Sequence, residues 1–178
     1  MGSSTICLST IIAACINRGP AEHLDHVAAI IDSVQSIELS LGGLEYVRAT
    51  DDFETDEGVE LVGYFDGNAL RKITADGYGA ITHGKEEYYY IDSKLIFVNV
   101  VSETYARPYY EDSLGPIIIN TDIEENYLYK DTLIHRIANR DTMSMTDSSR
   151  ADKTALLMKR SKECTQLLRT AKDTIDTD

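Results

Sequence analysis

Four histidines, three cysteines and thirty carboxylates are the residues best able to do chemistry. His23 and His26 lie three apart in A-E-H-L-D-H, a spacing that sets both on one helical face, where imidazoles could share a divalent metal. No H-E-x-x-H motif accompanies them and no third ligand is specified. They read as surface histidines, and no metal is expected. Cofactor phosphates lack a cradle, since neither G-x-G-x-x-G nor G-x-x-x-x-G-K-[ST] occurs and Gly77-Tyr78-Gly79 has no third glycine. No cofactor is expected. There is no G-x-S-x-G elbow for a serine nucleophile. The cysteines, Cys7, Cys15 and Cys164, are odd in number and lack C-x-x-C spacing, so they make neither a disulfide framework nor a zinc site. Cys164 falls on the apolar stripe of a helix and reads as a structural thiol. Two carboxylates at the right separation would make a hydrolase pair, but that separation is not written in a sequence. With so many acids, a hydrolase using paired carboxylates stands as the alternative function, and no catalytic residue is assigned.

Recognition chemistry is better supplied. All eleven tyrosines fall between Tyr46 and Tyr129. A tyrosine offers rigid apolar area with a hydrogen-bonding tip, which suits a protein or carbohydrate contact surface. Tyr88, Tyr89 and Tyr90, with Tyr109 and Tyr110, are the candidate binding residues. The same rings would also serve as packing within a sheet.

The elements that must position these tyrosines show in the patterning. Y-F-D-G-N-A-L-R-K-I, Y-Y-I-D-S-K-L-I-F-V and Y-L-Y-K-D-T-L-I-H-R share one plan. A tyrosine (Tyr64, Tyr89, Tyr127) precedes a leucine (Leu70, Leu95, Leu133) by six positions. A large apolar residue follows the tyrosine, and polar turn formers lie between. Aromatic and β-branched runs around a polar turn predict β-hairpins. Three related copies predict an antiparallel meander. Both faces of Leu95–Tyr105 carry apolar residues, which predicts helices on one side of the sheet and loops, a curled sheet end or a partner on the other. Arg107–Gly115 reads as a loop, and Pro116-Ile117-Ile118-Ile119 opens a further strand. Leu24, Val27, Ile31, Val34 and Leu41 recur at helical spacing after Pro20 and before Gly42-Gly43. A second helix is predicted over Ser148–Lys172, with Leu157, Cys164 and Leu168 inward and Asp147 or Ser148 as its cap. The fold class is therefore α+β: an antiparallel meander of about three hairpin repeats flanked by an N-terminal and a C-terminal amphipathic helix. A chain of 178 residues suits one such domain, residues 21–178, behind an apolar leader at residues 1–20.

Charge narrows the partners. The formal net charge is −13, and residues 141–178 balance seven acids against seven bases, so the whole excess lies in residues 1–140. Such a surface repels phosphate backbones, and nucleic acid is not expected as a partner. It favours a cationic protein, or simply solubility. Asp51–Glu60 carries six acids and no base but misses the EF-hand positions, so it reads as a solvated loop.

The leader I-C-L-S-T-I-I-A-A-C ends on small residues before Cys15 and resembles the lipobox of bacterial lipoproteins. Cys15 is then a lipidation candidate, and a lipid anchor there is the one membrane association expected. Ten or so apolar residues do not span a bilayer, which takes about 20 as a helix. Met1–Cys15 has no Lys or Arg, unlike the basic start of a signal peptide. Export is the expectation, to the periplasm, the outer membrane or the medium; if the leader is not a signal, the location is cytoplasmic. Taken together, the leader, helix, Tyr-rich hairpins and final helix resemble a set of uncharacterised exported bacterial proteins over Ala21–Lys172. That resemblance implies the fold and export, and no known activity. The function expected is a non-catalytic acidic binding or structural module of the envelope or secreted space, recognising a protein or carbohydrate.

Overall fold

The computed structural model describes residues 21–51, 58–111 and 115–175. The leader with Cys7 and Cys15, and most of the acidic loop, lie outside the described residues. Eight strands follow in chain order and pair with their neighbours, all antiparallel: β1 (Glu45–Asp51), β2 (Val59–Asp66), β3 (Ala69–Gly79), β4 (Thr82–Ile91), β5 (Lys94–Tyr105), β6 (Ile118–Tyr129), β7 (Thr132–Ala138) and β8 (Asp141–Thr142). Helix α1 (Ala21–Ser40) precedes this meander and α2 (Asp147–Ile175) follows it.

The repeat read from the sequence is a structural repeat. In each of the three hairpins the register slips directly after the tyrosine. Tyr64 faces Lys72 but Phe65 faces Leu70; Tyr89 faces Phe97 but Tyr90 faces Leu95; Tyr127 faces His135 but Leu128 faces Leu133. Arg71, Ile96 and Ile134 are the unopposed residues of three equivalent bulges, which bend the strand and sharpen its twist. Two of the turns between, Asp92-Ser93 and Lys130-Asp131, have positive φ at both central residues, as does Asn139-Arg140 between β7 and β8. That is the backbone of a type I′ turn, whose twist matches the strands it joins.

The helices lie on opposite faces of the sheet, not on one. The tyrosine triplet shows why. A strand turns alternate residues to alternate faces. Tyr88 and Tyr90 point to α2, where they join Phe65, Leu128, Leu157 and Cys164 in the larger core. Tyr89 points the other way, against Phe97, Tyr127 and the Ile30, Val34 and Ile37 stripe of α1. The two sheet faces each carry enough aromatic surface to bury a helix, at ~1.5–3 kcal/mol per large side chain. The buried stripe of α1 is thus centred on Ile30, Val34 and Ile37, with Val27, Ile31 and Leu41 beside it. At α2 the cap is Thr146, whose Oγ1 accepts from the Ser149 N–H at 3.2 Å, in place of Asp147 or Ser148. Gly63 lets α2 approach closely: a Cβ there would stand 2.9 Å from Leu168 Cδ1. Among the described residues no helix is long and apolar enough to cross a membrane.

Candidate binding surface at the uncovered end of the sheet

Tyr88, Tyr89 and Tyr90 are core residues, each 5 % exposed or less. Their rings are spent on the two helix interfaces and offer no contact area to a partner. Their hydroxyls find partners inside the protein. Tyr88 donates to Glu86 Oε2 at 2.5 Å, Tyr89 donates to Glu38 Oε1 at 2.7 Å, and Tyr90 shares a hydrogen bond with Ser161 Oγ at 2.9 Å. Burial pushes the Tyr90 phenol up to about 12, and burial beside Glu86 and Glu87 raises Tyr88 and Tyr89 further.

Tyr109 and Tyr110 stand elsewhere, on a surface the sequence did not mark as one site. Helix α1 covers the face only as far as the row of Lys72, Tyr89, Phe97 and Tyr127. Beyond it no described helix lies over the four longest strands. Register places Tyr78 opposite His83, His83 opposite Glu103, and Glu103 opposite Thr121, so these four share one row of that face. His83 Nε2 lies 2.7 Å from Asp76 Oδ1, and Nδ1 lies 3.3 Å from Glu103 Oε2. The Tyr78 ring stacks on the imidazole at 4.4 Å, with its planes 15° apart. Tyr109 lies 6.3 Å from Tyr78, and Tyr110 meets Tyr109 edge-on at 5.6 Å.

The backbone holds this group in place. The Tyr109 N–H donates to Ala80 O at 3.0 Å and the Tyr105 N–H to Ile81 O at 2.8 Å, so the segment after β5 is tied to the β3–β4 turn. Tyr105 is buried beneath it, while Tyr78 is 44 % exposed and Tyr110 67 %. Burial, then the charges of Asp76 and Glu103, push the Tyr78 phenol above its ordinary range, and the Tyr105 phenol shifts the same way. Both are therefore hydrogen-bond donors at neutral pH. The carboxylates here are Asp76 and Glu103 on the imidazole and Glu111 at the end of the Tyr109–Glu111 turn, with Lys85 opposite Asp76. Tyr78, His83, Asp76 and Glu103 escaped sequence reasoning. The signal that finds them is a tight turn at Ala80-Ile81, which sets Tyr78 across from His83.

Two other polar groups have structural roles. Under α1, Lys72 Nζ lies 2.6 Å from Glu38 Oε1 and 3.0 Å from Glu87 Oε1. Burial opposes the charge on Lys72, but Glu87 and Glu38 outweigh it and raise its pKa; burial likewise opposes the charge on Glu87, and Lys72 outweighs it and lowers its pKa. Beneath α2, a cleft of about 230 Å³ is lined by Glu86, Tyr88, Val100, Lys153, Arg160 and Glu163, among others. The Arg160 guanidinium lies 3.7 Å from Glu86 there. A hydrolase acid needs a raised carboxyl pKa. Glu87 and Glu124 shift downward, the reverse of that requirement. Among the described residues no cluster of three or more His, Cys, Asp or Glu is arranged to hold a metal ion, and the histidines have other contacts: His26 stacks on Tyr129 at 3.8 Å. Comparison with protein-family models, with curated proteins and with solved structures finds no match to this chain.

Proposed function

We propose that the protein is a non-catalytic, exported binding module that recognises a cationic protein through the uncovered end of its sheet. The observation that carries this reading is the row of Tyr78, His83 and Glu103, extended by Tyr109 and Tyr110, on a molecule whose charge excess is acidic. Half-exposed tyrosines supply rigid contact area, and flanking carboxylates supply long-range attraction and exclude anionic partners. Export accords with the small-residue run before Cys15.

The test is capture from the cell envelope by the full chain, at low and at high salt, with wild type and with Tyr78→Ala/Tyr110→Ala. A partner retained at low salt, released at high salt and lost by the double variant is the expected result. Truncating a central tyrosine anchor typically costs ~2 kcal/mol of binding, about thirtyfold in affinity. A partner held equally by both proteins, or equally at both salts, places recognition elsewhere.

A further inference from the structure

The first half of β6 is an open sheet edge. β5 pairs with β6 from Ile118 onward, whereas β7 joins it only from Glu124. Asn139 ends the β7 ladder. Its N–H donates to Ile123 O at 2.9 Å, its Oδ1 accepts from the Ile123 N–H at 2.8 Å, and its Nδ2 donates to Asp122 Oδ1 at 2.8 Å. The chain then turns away through Asn139-Arg140. In an antiparallel strand, successive residues aim their N–H and C=O at opposite neighbours. Ile123 aims both at Asn139, so Thr121 aims both along the same open edge, and no described strand lies beside it.

Natural edges are blunted by lysine, proline, a bulge or a cover. No lysine or proline lies within Ile118–Tyr129; the slip after Tyr127 falls where β7 already pairs, and the bulge at Ile119, opposite Thr104 and Tyr105, ends the regular edge and leaves Asn120–Asp122 as its unblunted part. Ile118, Ile119 and Ile123 are exposed, Ile119 at 64 %. The charge is of one sign: Asp122, Glu124 and Glu125 stand on the strand with no base, and Glu103 is the cross-strand neighbour of Thr121. Arg136 and Lys153 already neutralise Glu124, which leaves Asp122, Glu125 and Glu103 to set the local field. The opposite edge, β1, is a poorer host for a cation. Arg48 stands on it, and Lys172 of α2 holds Glu45 at 2.7 Å.

We infer that β6 from Asn120 to Asp122 accepts an extended segment of a protein partner as an added strand, with basic side chains facing the acids and apolar side chains facing the flanking isoleucines. Main-chain hydrogen bonds to Thr121 supply affinity, and the alternating side chains supply selectivity. The inference rests on the reading of a cationic protein partner and specifies how that partner docks.

The probe is a labelled peptide of alternating lysine and valine, titrated against the full chain by fluorescence anisotropy, with hydrogen exchange read at the Thr121 amide. Wild type is expected to bind in a salt-sensitive way and to gain protection at Thr121. Thr121→Pro removes the outward N–H and leaves the β5 ladder intact; it should weaken binding about tenfold or more. Asp122→Asn keeps the edge but removes charge and should weaken binding severalfold. Ile119→Lys, which leaves the backbone unaltered, should also weaken it, and it carries the test if the proline variant fails to fold. Equal binding by wild type and the folded edge variants overturns the inference, as does absence of binding by wild type. A wild-type dimer that becomes monomeric on Thr121→Pro also overturns it, because the edge then hosts a second copy. Salt-sensitive capture of a cellular partner that survives Thr121→Pro leaves the cationic-partner reading standing and removes strand addition. Capture that does not respond to salt removes the cationic-partner reading itself.

Discussion

Lys72 has its ammonium between Glu38 and Glu87, with the Tyr89 ring 4.9 Å below and the Tyr89 hydroxyl on the same Glu38 oxygen. Removing the cation takes from Glu87, a mostly buried carboxylate, its nearer charge and leaves it Lys85 at 3.4 Å and the Asn99 amide, whereas the half-exposed Glu38 is partly relieved by water. Lys72→Met should therefore cost about 2–3 kcal/mol, below the cost for a fully enclosed pair, as measured by the urea midpoint. Gly63 makes the steric counterpart. Its added Cβ would stand 2.9 Å from Leu168 and 3.0 Å from Phe65, so Gly63→Ala should destabilise by about 1–3 kcal/mol although alanine is the better residue for an ordered backbone. These residues also show what a sequence conceals. Tyr88, Tyr89 and Tyr90 look like a recognition motif when read as composition. Their burial depends on which surfaces α1 and α2 bring to the two faces, and that is a tertiary fact. Tyr109 and Tyr110 were legible as surface residues because Pro108 and the polar run after them forbid a central strand. Asp76 and Glu103 were not legible as His83 partners, since cross-strand contacts depend on register and on a turn with no glycine, proline or asparagine at its centre.

At the level of elements, the meander and both helices were legible because each has its own period and its own stop signal. The hairpin motif gave more than its existence: the apolar residue after each tyrosine pairs with the leucine across a two-residue turn, while the bulged residue lies just beyond the leucine and has no mark of its own. β1 was not read from the sequence, since E-Y-V-R-A-T-D alternates weakly and borrows its stability from β2 and α2. The turns themselves invite a test. Lys130 and Asp131 both adopt positive φ, at 50° and 60°, a region costly for most side chains and cheap for asparagine and glycine. Lys130→Asn with Asp131→Gly should raise stability by about 1 kcal/mol in thermal unfolding, with the fold unchanged. The fastening of α1 has a pH limit of known sign. Glu87 has a pKa below its ordinary 4.5, so its contribution is full above that value and fades as pH falls through the lowered folded value. Glu124, paired with Arg136 and Lys153 at α2, behaves alike. Lys72, raised above 10.5, keeps its contribution below that pH and loses it only as pH climbs past the raised folded value. Stability should thus be flat from about pH 7 to pH 9; below 6.5 it should begin to fall, because burial and then His23 lower the His135 pKa, so the unfolded chain takes up that proton first. In acid, hydrogen exchange should accelerate first in Ala21–Ser40, which is held to the sheet by fewer contacts than α2.

Across the whole molecule, the acidic excess of residues 1–140 acts on two observables in opposite directions. Like charges crowded on one compact domain repel, and folding pays that repulsion in full only at low ionic strength. Most of the ion pairs that salt would weaken lie near the surface, as with Arg48–Glu60, where each is worth ~1 kcal/mol or less. Lys72 and its partners are sheltered from screening. Repulsion summed over the excess outweighs the loss of those exposed pairs, so raising salt from 10 mM to 200 mM should raise the melting temperature by about 2–5 °C. The same change shortens the Debye length from ~30 Å to below ~10 Å and should slow association with a cationic partner at least tenfold, mostly through the on-rate. A module selected only for solubility would show the first effect without the second. Melting curves and binding kinetics recorded over one salt series therefore separate a charge that merely keeps the protein dispersed from a charge that finds its target.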